Sequence, residues 1–198
     1  DLMAKEHATT TTTDSELIAI AMADAVNAGQ SWCEAAITAF KQAQGAFSLV
    51  IGTPDGLIGA RDPNGIRPLV IGTLKDPAQD GSIQYVLASE TCALDILGAT
   101  YLRDVAPGEL VWITPEGLTS QLWAAQPEPK LCIFELIYFA RPDSDFHGES
   151  LYTYRMRLGW QLAQEHPIEA DLVMGVPDSG IPAAIGYAEV SEIGRAHV

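Results

Sequence analysis

The chain has 198 residues, of which 47% are hydrophobic and 19% are charged, so it contains enough apolar material for a substantial core. Its 26 acidic residues outnumber 11 basic residues and give a formal net charge of −15. This balance argues against nucleic acid and anionic membranes as partners, because both require a basic footprint on the protein. No apolar run approaches the roughly 18 residues of a membrane span, and no signal peptide is predicted, so a cytoplasmic protein is expected.

The cysteine content also favours a reducing compartment. Cys33, Cys92 and Cys132 are odd in number and widely spaced, which is typical of reduced thiols rather than of a disulfide framework. The chain begins with Asp1 and not with Met, so we expect it to begin inside a longer protein.

The last seven residues, 192–198, are expected to be an artefact. They read Glu-Ile-Gly-Arg-Ala-His-Val, which is what a common sequencing adapter encodes when it is read through in frame. We exclude this segment from fold prediction. The alternative interpretation is an ordinary polar tail after a helix.

Two helices are predicted first. The capping-box spacing over 13–16 predicts a helix that Gly29 closes, and the same pattern over 31–34 predicts a second helix that ends at Gly45.

The period then changes to that of strands. Short β-branched or apolar runs, separated by Gly, Pro, Asn and Asp, predict antiparallel strands. These runs cover 46–52, 57–60, 68–72, 83–88, 101–103, 109–113 and 118–122, with one short helix over 89–97. The pattern predicts a helical layer on an antiparallel sheet. The two prolines in 126–130 then indicate a linker.

After the linker the pattern is that of an α/β protein. A helix is predicted over 151–165, with Leu151, Tyr154, Leu158 and Leu162 on one stripe. A buried strand over 171–176, a tight loop over 177–180 and a helix over 182–190 follow. Such a loop brings several backbone N–H groups together, which suits phosphate without any Lys or Arg. A plain strand-to-helix turn has the same pattern, so the loop alone leaves both interpretations open.

Five long motifs occur here in the order found in glutamine phosphoribosylpyrophosphate (PRPP) amidotransferases. They are Gly45–Phe47, Arg61–Leu69, Ala88–Ala93, Tyr101–Glu109 and Tyr138–Ser144. The chain resembles this family over nearly all of residues 6–191, and 171–191 resembles the start of the family's phosphoribosyltransferase domain.

The resemblance implies a fold that is α+β and then α/β. A partial N-terminal-nucleophile glutaminase domain of αββα layers is expected over 1–125, an interdomain segment over 126–150, and the start of a type I phosphoribosyltransferase fold over 151–191.

The resemblance also implies an activity. In this family an N-terminal Cys releases ammonia from glutamine, and the ammonia displaces pyrophosphate from PRPP to form 5-phosphoribosylamine, the first committed step of purine biosynthesis. The nucleophile would lie before Asp1, so no catalytic residue is assigned here and the chain alone is expected to be inactive. The intact protein is expected to be a homo-oligomer that purine nucleotides inhibit by feedback.

Asp14 is the predicted glutamine contact. It matches the family carboxylate that pairs with the α-ammonium group of glutamine. The alternative is an acid that stabilises a helix N-terminus through the helix dipole.

Asp178, Ser179 and Gly180 match the family's pyrophosphate loop. The resemblance implies that Ser179 contacts the Mg²⁺ that accompanies PRPP, and that Gly180 is small enough for backbone to approach phosphate. The alternative for Ser179 is a helix N-cap.

Cys132 matches a position that supplies one ligand of a [4Fe–4S] cluster in some members of the family, although some members without a cluster also have a Cys there. The region 88–92 is more similar to the cluster-bearing branch, so a cluster is expected. Cys33 and Cys92 are interpreted as small buried hydrophobic residues.

Tyr138, Arg141 and Asp143 lie in the interdomain segment, where the family couples its sites. An ion pair between Arg141 and Asp143 is favoured over a catalytic role. His7, His147 and His166 have no metal-like spacing and are left unassigned.

Two other functions remain open. Another class II glutamine-dependent synthase would share the first domain but not the loop over 176–180, and a regulatory homologue would keep the fold without the nucleophile.

Overall fold

The structure is a computed structural model that describes residues 9–75, 82–125, 127–146 and 148–195. His7, Gln126, His147 and the last three residues of the suspected adapter segment lie outside these ranges. The chain forms two compact units, one made of Asp1–Ser89 and Leu102–Leu131 and the other of Glu90–Tyr101 and Cys132–Val198.

The first unit begins with two helices, α1 (Asp14–Asn27) and α2 (Trp32–Phe40). At α2 the predicted capping box is confirmed, because the Ser31 hydroxyl accepts from the Glu34 N–H while the Glu34 carboxylate accepts from the Ser31 N–H. The helix ends at Phe40, five residues before the predicted end.

At α1 the predicted capping box is wrong. Thr13 occupies the N-cap position, but its side chain makes no capping hydrogen bond. Glu16 reaches further back instead and accepts from the N–H groups of Thr10 and Thr11, both at 2.8 Å. The first turn is therefore held by a threonine loop and not by the N-cap hydroxyl.

In the part of the chain that the structure describes, seven strands follow the two helices, and all the predicted strand runs are confirmed with small changes of bounds. In chain order they are β1 (Ser48–Thr53), β2 (Gly56–Arg61), β3 (Val70–Lys75), β4 (Ile83–Ala88), β5 (Thr100–Asp104), β6 (Glu109–Thr114) and β7 (Gly117–Leu122). They form two sheets, with strand orders β1-β2-β6-β7 and β4-β3-β5. The first sheet is antiparallel throughout, with β1 joined to β2 and β6 to β7 by tight hairpins.

The core of this unit lies in two layers. Apolar side chains of α1 and α2 pack on one face of the four-stranded sheet, and the cluster comprises Ala21, Met22, Ala36, Ala39, Phe40, Ile58, Ala60 and Leu110. Complete burial of a side chain such as Phe40 contributes about 1.5–3 kcal/mol. The second layer joins the two sheets through Leu69, Ile71, Val105 and Val111. The helical layer on an antiparallel sheet is thus confirmed, with a second sheet of the kind that the resemblance implies.

The second unit is mainly helical. It contains α3 (Thr91–Leu97), a π-helical turn at Glu135–Phe139, α4 (Leu151–Glu165) and α5 (Gly180–Ser191). Its strands are two residues long: β8 (Asp145–Phe146), β9 (Glu149–Ser150), β10 (Leu172–Val173) and β11 (Gly194–Arg195). Strands β10 and β11 pair in parallel, so the suspected adapter segment contributes to a sheet. The buried strand predicted over 171–176 is wrong in two respects, because β10 covers only Leu172–Val173 and the side chains of Leu172, Met174 and Val176 are exposed.

After Leu151, the buried face of α4 is displaced by one residue from the predicted apolar stripe. The buried positions are Leu151, Arg155, Gly159 and Ala163, whereas Leu158 and Leu162 are 39% and 49% exposed. The reason is a close crossing with α5: a Cβ atom on Gly159 would lie 1.9 Å from the carbonyl oxygen of Ala183. Only a face without a side chain at 159 allows this approach.

The predicted domain boundaries remain predictions, and the compact units divide the chain differently. Residues 90–101, predicted within the first domain, belong to the second unit. Within the described ranges, none of the helices combines the length and apolar character that a bilayer crossing requires.

Candidate substrate-binding sites

Asp14 is the first residue of α1 and is exposed to solvent. Its Oδ1 accepts a long hydrogen bond of 3.5 Å from the Ser15 hydroxyl. Glu16 shares the same first turn, where carboxylates are favoured by the helix dipole. The position therefore presents an accessible carboxylate, as binding of an ammonium group requires, and it equally fits a helix-start acid.

The threonine loop before Asp14 is held by Glu16. The hydroxyls of Thr10 and Thr11 donate to its carboxylate at 2.7 and 2.6 Å, in addition to their N–H groups. These four hydrogen bonds, of which that from the Thr11 hydroxyl has the largest effect, lower the pKa of Glu16 to about 2. Glu16 thus orders the backbone on the N-terminal side of the candidate glutamine contact.

Asp178 and Ser179 lie between β10 and α5, and Gly180 is the first residue of α5. The Gly180 N–H donates to the Val176 carbonyl at 3.0 Å, and the Ile181 N–H donates to the Asp178 carbonyl at 3.3 Å. The Pro177–Asp178 peptide bond is cis. Asp178 is exposed, and Ser179 is half-buried.

Ser179 occupies the N-cap position of α5, but its side chain makes no capping hydrogen bond. The Ser179 backbone is α-helical, with φ −66° and ψ −30°, and not extended as at a typical N-cap residue, so the N-cap alternative is wrong for this hydroxyl.

Cys132 lies just before the π-helical turn, where its carbonyl accepts from the Glu135 N–H at 3.0 Å. Its thiol is free and half-buried. Among the described residues, no three His, Cys, Asp or Glu side chains lie close enough together to hold a metal ion. Cys132 can supply one ligand of a cluster, and Ser179 one hydroxyl to a cation that arrives with a substrate, but these residues complete neither site.

Comparison with known proteins gives concordant results. Residues 1–95 match the model of the glutamine amidotransferase domain. The amidophosphoribosyltransferase of Synechococcus elongatus is 64% identical over 189 residues, which is 96% of this chain and 38% of that protein. That of Synechocystis is 62% identical over 92% of this chain and 36% of its own length.

A solved structure agrees with these sequences. Glutamine PRPP amidotransferase from B. subtilis, complexed with ADP and GMP, is similar to this chain with a TM-score of 0.88 and 41% identity, over 98% of this chain and 41% of that one. The chain belongs to the amidophosphoribosyltransferase family. It spans somewhat more than a third of the length of the curated amidophosphoribosyltransferases that it matches.

Sequence reasoning missed a residue that connects two motifs of this chain. Glu90 accepts hydrogen bonds from the Arg141 N–H at 2.7 Å and from the Ser144 hydroxyl at 2.8 Å, and the neighbouring Thr91 hydroxyl accepts from the Asp145 N–H at 2.8 Å. The motif Ala88–Ala93 thus anchors the segment that follows the π-helical turn. The adjacent hydrogen-bonding side chains of Glu90 and Thr91 were the feature of the sequence that could have indicated this anchor.

The ion pair favoured for Arg141 and Asp143 is confirmed. Arg141 Nε and Nη2 donate to the two carboxylate oxygens of Asp143 at 2.9 and 2.8 Å. This bidentate hydrogen bond raises the pKa of Arg141 and lowers the pKa of Asp143. Both side chains are more than half exposed, so the pair contributes little to stability.

Arg155 is a second residue that the sequence reasoning missed. It is 2% exposed, and it donates to the carbonyls of Leu136 at 2.8 Å and Ala140 at 2.7 Å. Burial lowers the pKa of its guanidinium group, and Glu90 opposes that shift. The buried charge therefore caps the carbonyl end of the π-helical turn. The position of Arg155, four residues after Leu151 and on the same face of α4, was the feature of the sequence that could have indicated its burial.

Proposed function

We propose that the whole protein is an amidophosphoribosyltransferase that forms 5-phosphoribosylamine, glutamate and pyrophosphate from PRPP, glutamine and water. The observation that carries the proposal is the identity of 64% with a curated amidophosphoribosyltransferase over 96% of this chain. This reaction is the first committed step of purine biosynthesis.

In this proposal, Asp14 binds the α-ammonium group of glutamine. Its carboxylate is exposed at the start of α1, and the loop before it is ordered by Glu16. A charge-assisted hydrogen bond would select a free amino acid over a glutamine within a peptide, because only the free amino acid carries the ammonium group.

The loop of Asp178, Ser179 and Gly180 binds the diphosphate of PRPP. Support comes from its place between a strand and the N-terminus of a twelve-residue helix, and from a Ser179 hydroxyl that caps nothing. Mg²⁺ accompanies PRPP and neutralises its phosphates, and Ser179 would contact that ion directly or through water.

Cys132 is proposed as one thiolate ligand of a [4Fe–4S] cluster, which would have a structural role. Clusters of this type usually take four thiolates. The free, half-buried thiol is compatible with one of these positions, and the other three would come from outside the described residues.

Purine nucleotides are proposed as feedback inhibitors, and the B. subtilis protein was solved with ADP and GMP. We also propose that the protein acts in the cytoplasm as a homo-oligomer. The three free thiols support a reducing compartment.

The glutamine assignment is tested in the full-length protein with Asp14→Ala. Loss of a charged hydrogen bond is expected to cost roughly 1.5–3 kcal/mol, which corresponds to about 10- to 150-fold weaker glutamine binding. Synthesis from ammonia and PRPP should be largely retained, because ammonia does not need this contact. The measurement is the ratio of glutamine-dependent to ammonia-dependent synthesis over a range of glutamine concentrations.

Glu34→Ala is the matched control, since Glu34 is also a carboxylate in the first turn of a helix. It should lower thermal stability slightly and leave glutamine saturation unchanged. If Asp14→Ala behaves in the same way, Asp14 is only a helix-start acid. If the unmodified full-length protein forms no phosphoribosylamine from either nitrogen source, the enzyme assignment is wrong and a regulatory homologue is favoured.

A further inference from the structure

Gly175 lies between β10 and the candidate diphosphate loop, where it contacts the start of α5. A Cβ atom built on Gly175 would lie 2.5 Å from the carbonyl oxygen of Gly180, 2.7 Å from its carbonyl carbon and 2.9 Å from Cα of Ile181. All three are backbone atoms, which cannot rotate away as the end of a flexible side chain can. Any other residue at 175 would therefore push the strand end away from the helix.

This contact closes the loop at its base. The Gly180 N–H donates to the carbonyl of Val176, the residue after Gly175, at 3.0 Å. The segment 176–179 is thus held at its two ends, because Gly175 before it contacts Gly180 after it. The position of the Ser179 hydroxyl and of the backbone N–H groups at the start of α5 depends on that closure.

Gly180, to which the sequence assigned the need for a small residue, is less confined by the protein. A Cβ atom there would lie 3.7 Å from the nearest atoms, which belong to Gly175, at an ordinary van der Waals distance. Neither Gly175 nor Gly180 adopts a positive φ angle, so neither position requires glycine for its backbone conformation. The steric requirement for glycine in this loop therefore falls on Gly175.

We propose that Gly175 is a positioning residue for the diphosphate of PRPP. Its bare Cα lets β10 end against the first turn of α5, and so places Ser179 and the adjacent N–H groups to bind the Mg²⁺-bound diphosphate. The inference rests on the proposed function of this loop and adds a residue that does not itself contact the substrate.

The test is Gly175→Ala in the full-length protein, assayed with ammonia as the nitrogen source. The KM for PRPP should rise by roughly 10- to 150-fold, the change expected when one charge-assisted hydrogen bond to the diphosphate is lost. Hydrolysis of glutamine by the first domain should be unchanged. The stabilisation of the protein against heat by Mg²⁺ and PRPP should shrink correspondingly, since it depends on PRPP affinity.

Two other glycines supply matched controls. Gly52 lies in β1, where a Cβ atom would meet nothing within 4 Å, so Gly52→Ala should leave both activities and the melting temperature unchanged. Gly56→Ala places a methyl group 2.3 Å from the carbonyl oxygen of Ile113 in the first sheet, away from the loop, so it should lower the melting temperature and leave the KM for PRPP near normal.

The outcomes separate the inference from the proposed function. If Ser179→Ala raises the KM for PRPP and Gly175→Ala does not, the loop binds PRPP and the inference is wrong. If neither variant changes the KM, the loop is not the PRPP site. If Gly175→Ala unfolds the second unit while glutamine hydrolysis persists, Gly175 is required for folding rather than for loop position, and the inference is again contradicted.

Discussion

At the scale of single residues, the capping-box pattern predicted the start of α1 correctly but assigned the Glu16 carboxylate to the wrong hydrogen-bond donor. The spacing of Thr13 and Glu16 predicted the helix start, and the helix does begin at Asp14. The carboxylate binds Thr10 and Thr11 because consecutive threonines offer it four donors in place of the single N–H of Thr13. Spacing alone could not distinguish these donors, since it does not describe how the loop folds back.

The hydrogen bonds to Glu16 should make the threonine loop sensitive to acid. The pKa of Glu16 falls from an ordinary 4.5 to about 2 on folding. A depressed pKa stabilises the folded state above the unfolded-state pKa, and this contribution is lost as the pH falls from about 4.5 towards 2. Carboxyl carbon chemical shifts measured by NMR should show Glu16 titrating near the lower value.

Glu16→Gln should remove this part of the acid dependence, because a neutral amide has no proton to gain. The loop amide protons of Thr10 and Thr11 should exchange with solvent faster in the variant at neutral pH. A Glu16 that titrates at the value of an ordinary glutamate would show that the four hydrogen bonds are not formed in solution.

At the scale of elements, the burial of α4 could not be predicted from hydrophobic periodicity. Its contact face includes Gly159 and Arg155, neither of which a hydrophobic pattern counts. Gly159 permits the close crossing with α5, and Arg155 is buried because two carbonyl groups accept its hydrogen bonds. Both residues are placed by partners distant in sequence, so the local pattern favoured the leucines that are in fact exposed.

Glu90 at the start of α3 is expected to be important for stability. Glu90→Ala leaves the Arg141 N–H and the largely buried Ser144 hydroxyl without their carboxylate partner. Hydrogen bonds to charged groups contribute about 1.5–3 kcal/mol each, so we expect a loss of a few kcal/mol in the free energy of unfolding. Urea denaturation of the full-length protein, followed by the signal of the second unit, measures this loss.

Glu90→Gln should restore much of that stability, because both hydrogen bonds end on one carboxylate oxygen, which an amide oxygen can replace. Asp95→Ala removes an exposed carboxylate from the same helix and should change the unfolding midpoint little. Equal destabilisation by Glu90→Ala and Asp95→Ala would contradict an anchoring role for Glu90.

At the scale of the whole molecule, local patterns predicted the elements well and their grouping less well. The described helices α1 and α2 and strands β1 to β7 follow from capping, alternation and turn residues. The membership of α3 in the second unit does not, because it depends on hydrogen bonds between residues more than 50 positions apart, as from Arg141 to Glu90. The candidate sites were similarly found by motif, whereas Gly175 became evident only from the distance between two backbone segments.

The proposed iron–sulfur cluster would belong to the whole protein, and it gives the last prediction. Cys132 is half-buried and free, and the described residues include no group of three metal-binding side chains. If it is one of four cluster thiolates, the full-length protein purified without oxygen should be brown and contain iron and sulfide. Cys132→Ser should remove the colour, the iron and the sulfide together.

Cys33→Ser is the matched control, because Cys33 is also a half-buried free thiol but belongs to the first unit. Burial raises the pKa of the Cys33 thiol, which disfavours the thiolate that a cluster requires. This variant should keep its iron and sulfide. Dependence on Mg²⁺ should persist in both variants, since the ion accompanies PRPP. A colourless, iron-free full-length protein with normal activity would remove the cluster from the proposal and leave Cys132 as a structural thiol.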